Sequence, residues 1–306
     1  MPTLRQLRYF DALASHAHFR RAAAQAHVTQ PALSMQIADF ERELGVPLVE
    51  RQARATVLTE EGREVARRAR EILLAVDDLV DYARHHRAPL TGSLRVGVIP
   101  TVAPYLLPRV LPLLKEHYPE LRLRLRESQT AVLVEEVFAG QLDAALLALP
   151  VEHDGIETMA LFEDAFLLAM PESHRLAGRD HVSPKEIAGE PLLLLEEGHC
   201  LRQQTMAVCR NAGATQFDTF GATSLATLSE LVINGYGLTL LPEICVSFEA
   251  RRRRLAVRPF ADPVPARTLV LAWRKTSPRR KDFEAFGRTI IAARGDGGGT
   301  NRGSPA

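Results

Sequence analysis

TQPALSMQIADFERELG, residues 29–45, contains the start, the buried face and the end of one short helix. Thr29 suits the N-cap, and Pro31 is tolerated in the first turn because its missing N–H has no intrahelical partner there. Gly45 suits the end of the helix. The apolar residues at helical spacing form the face that we expect to be buried: Leu33, Ile37, Phe40 and Leu44.

Two shorter helices are predicted before this one, and a wing is predicted after it. Apolar residues from Leu4 to Ala14 recur every three or four positions, and a second helix is predicted over residues 20–26. Residues 46–59 look like a wing with Arg51 and Arg54 near its tip. The sequence thus predicts an all-α winged helix-turn-helix domain over residues 1–59.

A long amphipathic linker helix is predicted over residues 60–88. Its apolar positions alternate between spacings of four and three, the heptad pattern of helices that pair: Val65, Ala69, Ile72, Val76, Leu79 and Ala83. Pairing with a second copy of the chain would bury this stripe, and packing on its own chain is the alternative.

Beyond a linker at residues 89–92, predicted strands and helices alternate. Strands are predicted at 94–99, 121–127, 142–149, 165–170, 192–195, 238–241 and 268–273, and helices at 103–117 and 132–139. This alternation predicts an α/β fold with a mostly parallel sheet and helices on both faces. We expect a two-lobed regulatory domain over residues 91–295, with lobe I at about 91–164 and 267–295 and lobe II at about 165–266, before a disordered tail at 296–306.

The composition limits the classes of function. The chain has 306 residues, of which 46% are hydrophobic and 25% charged, as expected for a soluble protein of two or three domains. The net charge of +1 does not indicate a nucleic-acid partner, so that evidence must come from local pattern. The N-terminus shows no signal peptide and no apolar run reaches about 18 residues, so we expect a cytoplasmic protein with no membrane partner.

Two of the three cysteines lie close together in GHCLRQQTMAVC, residues 198–209. The three show neither a CxxC pair nor zinc-ligand spacing, so no metal and no cofactor is predicted. If the segment is helical, Cys200 and Cys209 lie on opposite faces, about 13 Å apart along the axis, whereas a disulfide needs Cα atoms within about 7 Å. Joining them would require the helix to be dismantled. In the cytoplasm such a disulfide is usually catalytic or redox-sensing.

Five segments closely resemble LysR-type transcriptional regulators: LRQLRYF (4–10), FRRAA (19–23), VTQPALS (28–34), LGVPLVER (44–51) and LTEEG (58–62). The resemblance covers essentially the whole chain and implies a regulatory domain like the periplasmic-binding-protein fold. Within the family, the GHCLRxQxMxxC pattern is similar to that of members that sense hydrogen peroxide. The family also implies partners, namely promoter DNA, hydrogen peroxide as effector, RNA polymerase, and further copies of the chain in a homodimer or homotetramer.

The third helix is the expected recognition helix, because such helices present their N-terminal residues to base edges in the major groove. The residues implied in base or phosphate contact are Gln30, Pro31, Ser34 and Gln36. Two wing residues are implied in phosphate contact, Arg51 and Arg54. For the four helix residues, the alternative is that they are simply solvated. Many relatives are basic where this chain has Ala38 and Asp39, which would weaken phosphate attraction on that side.

Cys200 is the residue expected to react with peroxide. Gly198 suits a helix start, and His199 and Arg202 would add positive charge or hydrogen bonds that favour the thiolate. Peroxide would oxidise this thiolate to sulfenic acid, with which Cys209 would condense. The alternative is that both cysteines are small buried apolar residues, as we expect for the third, Cys245.

Thr101 and Thr130 each follow a predicted strand and precede a helix, at the sheet edge where α/β folds bind ligands. Helix capping is the simpler explanation of both. The resemblance to peroxide sensors implies that these threonines hold peroxide near the thiol together with His199, and that Arg267 lies near the reactive thiol. For His199, a purely structural role is the alternative.

The sequence predicts a DNA-binding transcriptional regulator switched by a Cys200–Cys209 disulfide, and not an enzyme. One rival is a LysR-type regulator that binds a small metabolite in the cleft between the lobes. Another is a thiol peroxidase, against which the helix-turn-helix and the missing CxxC recycling pair both count. A response to peroxide that survives Cys200→Ser would favour the first rival.

Overall fold

The computed structural model describes residues 1–51, 56–84, 89–211, 213, 217–219, 221–250 and 254–295. The chain divides into two compact units, Met1–His86 and Arg87–Ala306. The predicted tail at 296–306 and the wing residue Arg54 lie outside the described residues, and only the backbone of Arg51 is described. The finer domain boundaries predicted above stay predictions.

The first unit contains three short helices, a two-stranded wing and a long helix. Its elements are α1 (Leu4–His16), α2 (Phe19–Gln25), α3 (Gln30–Leu44), β1 (Val49–Arg51), β2 (Thr56–Leu58) and α4 (Glu60–Arg84). β1 and β2 pair antiparallel, so the winged helix-turn-helix and the linker helix are confirmed. Thr29 caps α3, since its hydroxyl accepts the Ala32 N–H at 3.4 Å, and Gly45 ends the helix at φ 75°.

The core of this unit is built from the predicted helix faces. The residues of α3 that are at most 1% exposed are Leu33, Ile37 and Phe40. The first half of α4 joins the same core through Ala66 and Ala69. Further along α4 the predicted stripe is open to solvent, with Ile72 at 47% and Leu79 at 68% exposure. A single copy of the chain thus leaves an apolar face of α4 exposed.

The second unit alternates strands and helices as predicted. Its elements are β3 (Gly92–Val98), α5 (Ala103–His117), β4 (Leu121–Glu127), α6 (Thr130–Phe138), β5 (Ala144–Ala148), β6 (Ile156–Pro171), a 3₁₀ turn (Pro184–Ile187), β7 (Leu192–Leu194), α7 (Cys200–Asn211), β8 (Phe217–Thr219), α8 (Leu225–Ile233), β9 (Thr239–Pro242), α9 (Glu243–Glu249), β10 (Leu255–Pro259), β11 (Ala266–Arg274) and α10 (Arg280–Gly295). The predicted strand at 165–170 is the second part of β6, a strand of 16 residues.

The prediction of a mostly parallel sheet is wrong. The large sheet has the order β10-β6-β11-β5-β3-β4, with β9 also paired to β6. In it, β3 pairs in parallel with β4 and with β5, and the other pairs among the described strands are antiparallel. The reason is that the chain leaves the first half of the unit along β6 and returns beside it along β11. Two such neighbouring strands must run in opposite directions.

The unit has two separate apolar cores, which confirms the two-lobed α/β fold. One core, here called the lobe I core, contains residues of β3, α5, β5, β11 and α10. The other, the lobe II core, contains residues of the second part of β6, β7, α7, α8, β9 and β10. Among the described residues, no helix has both the length and the apolar character needed to cross a membrane.

Candidate functional site

Helix α7 carries both cysteines of the motif. Cys200 is its first residue, Cys209 lies nine positions later, and both are free thiols. The rise of an α-helix separates them by about 13 Å along the axis, whereas a disulfide needs Cα atoms within about 7 Å. The helical conformation considered from the sequence is confirmed. The two sulfurs cannot bond while α7 is intact.

The two cysteines belong to different cores. Cys200 is partly buried and packs against the lobe I core, whereas Cys209 is fully buried in the lobe II core. Leu201 and Thr205 precede Cys209 at intervals of four residues, and the three form the buried face of α7. Burial raises the pKa of Cys209 to about 12, so this residue is a neutral thiol near neutral pH.

A tight turn leads into α7. Gly198 has φ 91°, and a side chain there would collide with the side-chain amide of Gln129. The Gln129 Nε2 donates to the Glu197 carbonyl oxygen at 3.3 Å. Since Thr130 follows Gln129 as the first residue of α6, this turn joins the start of α6 to the start of α7.

His199 lies immediately before Cys200 and is buried. Burial lowers the pKa of its imidazole, and the nearby Glu196 carboxylate acts in the opposite direction. The lowered pKa disfavours a positive charge on the ring near neutral pH, so of the two contributions considered for His199 the hydrogen bonds are the one that remains for the thiol. The Arg202 guanidinium donates from Nη1 to the Leu195 carbonyl oxygen at 2.9 Å.

Two buried polar atoms close to these turns have no hydrogen-bond partner in the described part of the chain, namely Thr130 Oγ1 and Gln204 Oε1. The N-cap of α6 is Gln129, so helix capping does not explain Thr130. Gln204 lies one turn beyond Cys200 on the same side of α7, and its Nε2 donates to the Leu149 carbonyl oxygen at 2.9 Å. Buried polar atoms are normally hydrogen-bonded, so these two are suited to a small polar ligand.

Thr101 is buried and is held by Arg267. The guanidinium donates from Nη1 to Thr101 Oγ1 at 2.9 Å and from Nη2 to the Thr101 carbonyl oxygen at 3.3 Å. The N-cap of α5 is Val102, so capping does not explain Thr101 either. Arg267 also forms an ion pair with Asp164, which lies opposite it in the β6–β11 ladder, at 2.9 Å.

A cleft of about 780 Å³ lies beside these residues. Its lining includes Pro100, Gln129 and His199. The next residues along the chain are Thr101, Thr130 and Cys200. The structure thus brings the predicted peroxide-site residues to one region, and Arg267 joins them through Thr101. Gln204 and Asp164 were missed: the only sequence signal for Gln204 was its spacing of four from Cys200, and a lone acid in a strand gives none.

The predicted DNA-contact residues of α3 lie in the first half of the helix and outside its buried face. Gln30 and Pro31 are exposed, and Ser34 and Gln36 are half-buried. Gln30 and Gln36 flank the buried face of α3, which is formed by Leu33, Ile37 and Phe40. Asp39 pairs with Arg42 at 2.8 Å and so has its charge partly offset.

Family models match nearly the whole chain. Residues 4–63 match the bacterial regulatory helix-turn-helix protein of the lysR family, and residues 87–294 match the LysR substrate binding domain. The chain belongs to the LysR family. The two matched segments contain the helix α3 and the helix α7, respectively.

Relatives within the LysR family are similar over almost their full length. A probable hydrogen peroxide-inducible genes activator of Streptomyces viridosporus is 44% identical, over 96% of this chain and 95% of that protein. The dual regulator OxyR of Escherichia coli K12 is 43% identical, over 94% of this chain and 95% of that protein. Among solved structures, full-length OxyR of Pseudomonas aeruginosa with a cysteine-to-aspartate substitution is 34% identical, covers 95% of each chain and has a TM-score of 0.79.

Proposed function

We propose that this LysR-family protein is a hydrogen-peroxide-responsive transcriptional activator, switched by a reversible Cys200–Cys209 disulfide. The observation that carries the proposal is the placement of the two thiols at the ends of one helix and in two different cores. The relatives named above, which are called peroxide-inducible activators or OxyR, support the same function.

The chemistry proceeds in two balanced steps. The Cys200 thiolate attacks one peroxide oxygen, an S–O bond forms, the O–O bond breaks, and the second oxygen leaves as hydroxide that takes up a proton to become water. The Cys209 thiol then attacks the sulfenic sulfur, the S–O bond breaks, and a second water is released. Sulfur loses two electrons in total to one peroxide. Thr101, Thr130, His199, Gln204 and Arg267 are the residues that we propose to surround the reacting oxygens.

The second step requires a rearrangement of α7. Cys209 is buried and neutral in the reduced fold, so it becomes a nucleophile only after it leaves the lobe II core. Leu201 and Thr205, on the same buried face of α7, must be displaced with it. We propose that this rearrangement of the regulatory domain is the signal passed to the DNA-binding domain.

The DNA partner is double-stranded promoter DNA, read by the exposed start of α3. We propose base or phosphate contacts at Gln30, Pro31, Ser34 and Gln36, and phosphate contacts at Arg51 and Arg54. The exposed apolar face of α4 supports pairing of two copies, in a homodimer or a homotetramer. An activator of this kind works with RNA polymerase, in the bacterial cytoplasm where the promoter is.

Disulfide mapping tests the proposal. The full-length protein is treated with about one equivalent of peroxide, its disulfides are mapped by mass spectrometry, and DNA footprints are recorded for both redox forms. We expect a Cys200–Cys209 linkage and a changed footprint, and we expect Cys200→Ser to abolish both. The cleft beside the thiol also fits a small-molecule effector. A peroxide response that persists in Cys200→Ser would contradict the thiol switch and favour that effector.

A further inference from the structure

The ion pair between Asp164 and Arg267 is buried and fixed on every side. The Asp164 Oδ2 accepts from Arg267 Nε at 3.0 Å and from Nη2 at 2.9 Å, and both side chains are at most 1% exposed. The Asp164 Oδ1 accepts the backbone N–H of Ile244, near the start of α9, at 3.1 Å. The carboxylate therefore has no freedom to turn, and it holds one edge of the guanidinium in place.

The other edge of the guanidinium sets the direction of the Thr101 hydroxyl. Arginine can only donate, so the hydrogen bond from Arg267 Nη1 makes Thr101 Oγ1 an acceptor. The hydroxyl hydrogen of Thr101 must then point away from Arg267. Pro100, the residue before Thr101, and His199, the residue before Cys200, both line the cleft, so an oxygen bound there is the acceptor that we consider for this hydrogen.

A buried ion pair is weak evidence for a role in stability, because removing its charges from water costs about as much as their attraction returns. Burial raises the pKa of the Asp164 carboxyl, and the Arg267 charge offsets that change only in part. Stability alone therefore does not explain why an ion pair is found at this position. The hydrogen bond from Arg267 that orients the Thr101 hydroxyl offers such an explanation.

We propose that Asp164 is a positioning residue for the peroxide reaction. Through Arg267 it fixes the Thr101 hydroxyl as a hydrogen-bond donor to the peroxide oxygen that leaves when the Cys200 sulfur attacks. This inference rests on the proposed function. The developing negative charge on the leaving oxygen is stabilised most by a donor that is already aligned before the O–O bond breaks.

The test compares two reagents on the same thiol. The rate constant of Cys200 with hydrogen peroxide is measured in the full chain for the wild type, Asp164→Asn, Thr101→Val and the double variant, and the rate with iodoacetamide is measured in parallel. Removal of one aligned donor slows such reactions by about 100-fold. We expect Asp164→Asn and Thr101→Val each to slow the peroxide reaction by at least about 10-fold, and the double variant to be no slower than the slower single variant.

The iodoacetamide rate should change little, because that reaction releases iodide and no oxygen anion. Thr101→Ser, which keeps the hydroxyl, should restore most of the peroxide rate. Equal loss with both reagents, an additive loss in the double variant, or an unchanged peroxide rate in Asp164→Asn would each overturn the proposal.

The chain offers a matched control in Asp282. Its Oδ2 accepts from Arg279 Nε at 2.9 Å and its Oδ1 accepts the Leu90 N–H at 3.0 Å, which repeats the contacts of Asp164. Asp282→Asn should lower stability but leave the peroxide rate within about twofold. A loss as large as that of Asp164→Asn would overturn the proposal.

A second variant covers the case in which Asp164→Asn does not fold. Asp164→Asn combined with Arg267→Gln removes both charges and leaves no unpaired one. We expect it to react with peroxide as slowly as Thr101→Val, and a wild-type rate would overturn the proposal. Failure of the proposed function can be told apart from failure of this inference. In the first case the wild-type Cys200 itself would not be oxidised by peroxide, and in the second case it would be.

Discussion

Shortening Leu201 on the buried face of α7 should make the Cys200–Cys209 disulfide harder to reduce. Leu201 is 2% exposed in the lobe II core, so Leu201→Ala removes packing from the reduced form. If α7 is dismantled on oxidation, the oxidised form has already lost that packing. The substitution then destabilises only the reduced form.

The size of the effect follows from the burial of the side chain. Truncation of a buried leucine costs about 3 kcal/mol. For a two-electron couple, 30 mV corresponds to about 1.4 kcal/mol, so the midpoint potential should become more negative by about 60 mV. The sign is fixed, because a less stable reduced form makes reduction of the disulfide less favourable.

The assay equilibrates the full-length protein in a series of thiol–disulfide buffers and quantifies the Cys200–Cys209 linkage after alkylation. Leu228→Ala is the control, since Leu228 is also 2% exposed in the lobe II core but lies on α8. Its loss should affect both redox forms and move the midpoint by less than about 15 mV. Equal shifts in the two variants, or no shift in Leu201→Ala, would refute the dismantling of α7.

Three further changes test other parts of the structure. Burial lowers the pKa of His199 in the folded protein, so near and below the ordinary value of 6.5 the unfolded chain binds more protons than the folded one. The free energy of unfolding should therefore fall as the pH drops through that value. Urea titrations at a series of pH values should show a weaker pH dependence of the free energy of unfolding for His199→Gln than for the wild type. An unchanged pH dependence would contradict this role of His199. Gly198→Ala should cost about 1–3 kcal/mol in chemical unfolding of the reduced protein, since its φ is 91° and the new methyl meets Gln129; wild-type stability would contradict this. Gln30→Ala should weaken binding to the target promoter by about 1–3 kcal/mol while leaving binding to random DNA nearly unchanged, and an equal loss on both would argue against a base contact.

The elements that the sequence predicted well are those with local signals. Helix α3 has a capping threonine, a proline in its first turn and a terminal glycine, and its bounds follow from these three residues. The strand β6 has no such signal at its centre. It passes from one core to the other without a turn, and the sequence predicted only its second half, residues 165–170, as a strand.

The residues of the candidate site also fall into two groups, those with a local sequence signal and those whose role depends on the tertiary structure. Cys200 and Cys209 were found because their spacing on a helix has a geometric consequence that needs no tertiary information. The neutral state of His199 and the ion pair of Asp164 depend on burial, which arises from residues far away in sequence. The partner of Arg267 lies 103 residues before it and meets it only through the register of β6 and β11.

The division of the thiols between two cores also bears on how readily the proposed disulfide would be reduced. Closing a loop of about ten residues removes about 3 kcal/mol of chain entropy from the unfolded state, which is the gain expected from the disulfide. Exposing Leu201 costs about 2–3 kcal/mol, and the loss of the helix and of the Cys209 contacts adds to that. The cross-link therefore gains little or nothing from the fold, and the oxidising power of the peroxide must drive it. We expect a disulfide formed against the packing of α7 to be easily reduced by a thiol reductant, which supplies the two electrons and two protons, and the contacts that hold the thiols apart then favour the reduced fold.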